Sequence, residues 1–258
     1  LKKPFLKRLL TGRYRVSFEI VSKTEGIGFY VVVPDEIAPF VEKQINGVYQ
    51  DAEIDIVNPN EVWDRGNYTQ VTELKMKGAI YSPIRNYENI KTDPLNPITS
   101  SMSKLNRNEV LAIQYVISPA SNSWRKVGRK FTNAVRAKIA DPEKHYNINE
   151  EYVEAIEGKI SSAGFDVAIR IISISENKNA AQLHINNLIK AFDQFSDVNH
   201  GRFVAKRSFL GLGSKKLVDN FIYRRIRPKE ITIPLLDINF YKSVPILTTT
   251  EMATVFHF

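Results

Sequence analysis

The four histidines, His145, His184, His200 and His257, are the first residues to weigh for acid–base or metal chemistry. None has a second histidine or a carboxylate at a spacing typical of a metal site, so no metal centre is expected. The chain has no cysteine. That removes disulfides, thiolate zinc sites and a cysteine nucleophile together, and agrees with a reducing, cytoplasmic setting. No G-x-S-x-G elbow occurs, and a Ser/His/Asp triad has no local support. Gly211-Leu212-Gly213-Ser214-Lys215-Lys216 comes nearest to a phosphate-gripping loop. It lacks the glycine directly before the lysine and the Ser/Thr after it, and reads instead as a basic loop. Asp51, Glu53 and Asp55 alternate along one predicted strand. Paired carboxylates can do acid–base work, but a solvent-facing strand edge explains them more simply. No catalytic residue and no cofactor is therefore expected, and no ATP hydrolysis.

Charge is more informative. The formal net charge is +8, and it is uneven. Arg202, Lys206, Arg207, Lys215, Lys216, Arg224, Arg225, Arg227 and Lys229 fall in one segment with a single acid, Asp219. That segment carries the whole surplus, since the rest of the chain balances 27 basic against 27 acidic residues. Such an asymmetry points to a polyanion-facing surface; a solvated loop is the plain alternative. Phe221, Tyr223, Arg224 and Arg225 mix aromatics with cations, as single-strand binders do to stack bases and hold phosphates. Trp124 with Arg125 and Lys126 shows the same mixture, but there the tryptophan reads as a helix anchor.

The elements that would position these residues are of α+β type. A basic lead-in, residues 1–13, alternates Lys2, Lys3, Lys7 and Arg8 with Phe5, Leu6, Leu9 and Leu10. It suits an anionic membrane surface or an ordinary packed helix. Residues 14–148 form a first unit: a hairpin over 14–33, a helix with the stripe Ile37, Phe40, Val41, Ile45, and a strand over 52–57. Further strands at 71–81 and 110–117 precede a helix opened by Ser123, with Trp124, Val127 and Phe131 on one face and Arg125, Lys126, Arg129, Lys130 and Arg136 on the other. Residues 149–240 form a second unit. Its strand at 165–174, helical stripe Ala181, Ile185, Leu188, Phe192, Phe195 and strand at 202–207 echo the first. The expectation is two ferredoxin-like (split βαβ) units, each with its own mainly antiparallel sheet and its helix facing it. Residues 241–258 read as a joint, with Thr248 and Glu251 in capping-box spacing before a helix. No run approaches the roughly 18 apolar residues of a membrane span.

Several stretches in order resemble the region before the motor domain of conjugative and type IV secretion ATPases, the coupling-protein-like, hexameric DNA-pumping family. They are Val16–Val21, Phe29–Pro34, Asp51–Ile54, Asp93–Pro97, Ile113–Pro119 and Thr250–Phe258, where a Thr/Ser-x-E-x-A-x-x-x-H-x-P-like segment leads into the nucleotide-binding domain. The resemblance implies a piece of a longer polypeptide, with a membrane anchor upstream and an ATPase domain downstream. It further implies a ring-forming parent at the cytoplasmic face of the membrane, moving DNA or protein. The family's catalytic residues lie in the motor, so none transfers to this chain. Three readings follow: an accessory docking and substrate-guiding domain of such a machine, a free-standing nucleic-acid-binding protein using the 202–229 segment, or an assembly protein with an acidic partner.

Overall fold

The computed structural model describes residues 15–58, 68–140, 149–196, 200–206, 214–226, 229–233, 238–242 and 244–257, the strands 229–233 and 238–242 by their backbone. The expected lead-in, residues 1–13, lies outside the described residues. Strands β1 (Val16–Lys23), β2 (Gly26–Val32), β3 (Tyr68–Lys77), β4 (Val110–Pro119), β5 (Gly164–Ser175) and β6 (Arg202–Ala205) form one sheet in the order β2-β1-β4-β5-β3-β6. Every pairing is antiparallel. A seventh strand, β9 (Ile246–Thr248), pairs with Gly164–Asp166 at the start of β5. β7 (Lys229–Ile233) and β8 (Ile238–Lys242) make a separate antiparallel hairpin.

The α+β class is therefore present, but the strands expected in two sheets share one. β4 of the first expected unit lies beside β5 of the second, and β3 lies between β5 and β6. The reason is burial. β4 and β5 are buried on both faces, with Val110 to Val116 and Val167 to Ser175 all buried. With water excluded from both faces, the backbone N–H and C=O groups along each edge need a neighbouring strand to pair with. The expected strand at 52–57 does not form: these residues are irregular and exposed throughout. Their alternation of Ile54 and Ile56 with acids satisfies the strand pattern locally, but among the described residues no strand pairs with them.

One face of the sheet carries Ile20, Ile113, Tyr115, Ile169, Ile171, Leu74 and Phe203. It is covered by α2 (Leu95–Met102), α5 (Lys178–Ala191) and α7 (Thr249–Val255). From α5 and the 3-10 turn after it, Ala181, Ile185, Leu188, Phe192 and Phe195 are buried, as the stripe predicts. α7 opens with the capping box in place: Thr248 Oγ1 accepts from Glu251 N–H, and Glu251 Oε2 accepts from Thr248 N–H at 2.8 Å. Its helix ends at Val255, and the Phe256 ring meets Phe18 at 4.9 Å.

α3 (Ser123–Ile139) and α4 (Glu150–Ser161) pack together beside the start of β5. Trp124, Gly128 and Thr132 form the buried stripe of α3. Ser123 is the first helical residue rather than the cap; Asn122 stands at the cap position and makes no side-chain cap bond. Gly164 is required where β5 passes the tryptophan, since a Cβ there would lie 2.6 Å from the Trp124 ring.

α1 (Ala38–Val48) corrects another expectation. Its apolar stripe was expected to face the sheet, yet the helix has no buried residue. It packs chiefly on the short turn Asp35–Ile37 before it. Phe40, Val48 and Tyr49 are exposed, and Ile54, Ile56 and Val57 continue that exposure. Among the described residues no helix is long and apolar enough to cross a membrane.

Candidate nucleic-acid interface

The second face of the sheet is where the charge collects. In β6, Phe203 and Ala205 point into the core cluster, so alternation places Arg202, Val204 and Lys206 on the opposite face. The β3–β6 register sets Lys77 against Arg202 and Lys75 against Val204. Lys75 and Lys77 thus join Arg202 and Lys206 on one surface. α6 (Ser214–Ile222) lies over the same face of β3, with Leu217, Asn220 and Phe221 buried and Lys215 and Lys216 exposed. No ion pair forms, among the described residues, at Lys75, Lys77, Arg202, Lys215 or Lys216. Six cations from three elements therefore converge on one side of the sheet.

Arg224 and Arg225 behave differently. Arg224, in the turn two residues past α6, has φ +47°, and its guanidinium turns inward to Glu19, with Nε 2.7 Å from Oε1 and the second bond 3.1 Å long. Arg225 lies 4.6 Å from the centre of the Tyr223 ring, which is exposed. That pair offers a flat aromatic face and a cation together. Arg207 and Arg227 lie outside the described residues. Lys229 begins β7, where the backbone alone is described.

Beneath α6 runs a polar row that no sequence pattern announced. Glu19, Gln114, Arg170 and Glu73 are direct cross-strand neighbours on β1, β4, β5 and β3. Gln114 Nε2 donates to Glu19 Oε1 at 3.0 Å, and Arg170 donates to Gln114 Oε1 and to Glu73 Oε2, each at 3.1 Å. Lys206 Nζ lies 3.7 Å from the same Glu73 carboxylate. Gln114 also donates to the Phe221 carbonyl, and Arg170 to those of Asn220 and Arg225. These carbonyls belong to the end of α6 and the turn beyond it, where a helix presents unsatisfied acceptors and its negative end. Burial pushes the Arg170 guanidinium down, and Glu73 opposes that shift. In the sequence Gln114 and Arg170 stand between apolar residues, Ile113-Gln114-Tyr115 and Ile169-Arg170-Ile171, but nothing there makes the four residues of the row neighbours.

Two other clusters bring reactive types together. Ser175 Oγ donates to Glu109 Oε1 at 2.7 Å, and His184 Nε2 lies 3.3 Å from Oε2. The serine and the histidine both meet the carboxylate, whereas a nucleophilic triad needs the hydroxyl on the imidazole. Lys159 is buried, donating to the Ser82 and Ile246 carbonyls at 2.9 and 2.7 Å and paired with Glu251 at 3.0 Å. Burial lowers its pKa and Glu251 works the other way. With every ammonium hydrogen directed at an acceptor, this lysine is a tie between α4, the 82–84 segment and α7. Among the described residues no group of three His, Asp or Glu side chains could hold a metal ion. Of the four histidines, His145 lies outside the described residues and His257 bonds the Ala253 carbonyl and Asp93.

No curated protein matches this sequence. The model of one family, a domain of unknown function named DUF8128, matches residues 4–227, which take in all of the main sheet except β9. The chain belongs to the DUF8128 family.

Proposed function

We propose that this domain is a non-catalytic docking module that holds single-stranded nucleic acid through the basic face of β3, β6 and α6. The observation that carries the reading is the β3–β6 register, which adds Lys75 and Lys77 to Arg202, Lys206, Lys215 and Lys216. Tyr223 and Arg225 lie just past α6 and supply a stacking surface. Backbone phosphates are the ligand that such a face suits, so binding is weak, salt-dependent and indifferent to sequence. The resemblance to the region before conjugative and type IV secretion motors extends the reading. It makes the domain a guide for DNA or protein at the cytoplasmic side of a membrane-anchored ATPase ring, with its anchor and motor as partners.

Arg224 is a poor probe of this surface because it already holds Glu19. The test is fluorescence anisotropy with labelled single-stranded DNA across a salt series. Replacing Lys77, Arg202 and Lys216 together by alanine removes exposed cations without touching the buried row. The salt slope is expected to flatten by about two units, at roughly 0.7 for each phosphate no longer neutralised. A variant that binds like the parent at every salt concentration overturns the reading.

A further inference from the structure

The arm at 38–58, the first part of the connection from β2 to β3, is the other charged feature of the molecule. From Asp35 to Asn58 there are six acids and one base, Lys43. No residue from 38 to 58 is buried, and Ile54, Ile56 and Val57 are exposed although apolar. Surfaces that combine open backbone with exposed isoleucines are built for a partner or are a liability. The matching surface is on the same molecule. β6 is the last strand in the sheet order and pairs, among the described residues, with β3 alone.

We infer that residues 51–55 of one chain add as an antiparallel strand to the open edge of β6 in a second copy, head to tail. The residue types agree position by position. Set antiparallel, Asp51 falls opposite Lys206, Glu53 opposite Val204 and Asp55 opposite Arg202. On the other face Ala52 meets Ala205 and Ile54 meets Phe203. Carboxylates and cations then share the basic face, and Lys75 lies on that face across Val204 from Glu53, two strands away. The apolar side chains extend the core layer that Phe203 already belongs to. Strand addition satisfies the backbone groups of an edge, and alternate side chains set its specificity. The donor and acceptor surfaces differ, so the contact is heterologous: repeated, it closes a ring or grows a filament. The inference does not depend on nucleic-acid binding, and its test contains none.

The cysteine-free sequence gives a clean readout. Glu53→Cys in one chain and Val204→Cys in another, mixed under mild oxidation, should give a disulfide-linked heterodimer. A Glu53→Cys/Val204→Cys double variant that instead closes within single chains at high dilution overturns the proposal. Sedimentation of the unmodified chain should show association that weakens at least about tenfold from about 0.05 to about 0.5 M salt, as screening shortens. Reversing Asp51, Glu53 and Asp55 to lysine should leave a monomer. Mixing that variant with Arg202→Glu/Lys206→Glu should restore the pair. Association that survives the reversal, or a monomer at every concentration and salt, refutes the docking.

Discussion

Two buried charges show how differently this chain treats its ionisable residues. Burial raises the pKa of Glu109, but hydrogen bonds from Ser175, the Asn106 N–H and His184 outweigh it and hold the carboxyl below its usual range. A carboxylate depressed in the folded state contributes stability that is fully present above its unfolded pKa. That contribution is lost as the pH falls through the folded value. Glu109→Gln should therefore be less stable than the parent at neutral pH, with the gap closing as the solution is acidified below the ordinary carboxylate range. Urea titrations at a series of pH values measure it, and a constant gap would contradict the assignment. Lys159 presents the opposite case. Replacing it by methionine strands the Glu251 charge in a dry site and should cost about 3–5 kcal/mol, read from the shift in denaturation midpoint. The half-exposed Arg136–Glu157 pair, 2.9 Å apart, should cost far less to break, because solvent screens it.

At the scale of elements, α6 is the piece most dependent on others. It is nine residues long, too short to persist alone, so its order comes from docking. Phe221 fills the second face of the sheet beside Val110, Ala112 and Ile172, and its carbonyl receives Gln114. Phe221→Ala should destabilise the protein by about 3–5 kcal/mol, from lost burial and the cavity left behind. Amide exchange should quicken across 214–222 well before it does in α5. Equal acceleration in both helices would mean that α6 is not an independent lid on the row beneath it. The same element explains what the sequence could and could not reveal. The hairpin 14–33, the strands 110–117 and 165–174 and the α5 stripe were legible, because each pattern is completed within its own segment. The strand at 52–57 and the buried face of α1 were misread, because alternation and helical stripes do not say whether a partner surface exists. The basic segment was legible as composition. Lys75, Lys77 and the Glu19–Gln114–Arg170–Glu73 row were not, since only strand register makes them neighbours.

For the whole molecule, the interleaved strand order decides how it must fold. β4 and β5 meet at the centre of the sheet from segments either side of the 140–149 connection, and Val110–Pro119 pairs along almost the whole of β5. Cutting the chain between Ala140 and Asn149 should yield two pieces that do not fold alone, each lacking the neighbour that covers its most apolar strand. Circular dichroism of the separate and mixed pieces checks this. Two independently melting halves would restore the two-unit architecture.

The stitching of α7 carries a mechanical consequence. Its first turn is fastened by the Lys159–Glu251 pair, its Thr254 hydroxyl accepts from Tyr87 N–H, and Phe256 wedges among Phe18, Phe29 and Tyr115. β9, directly before it, is bonded to the start of β5, the strand that lies between β4 and β3. Tension applied at His257 would not be absorbed by a slack tether. It would load the ion pair and the β9–β5 bonds at once and reach the middle strand of the sheet within a few residues. This makes α7 a stiff lever arm on the same sheet that carries the basic face.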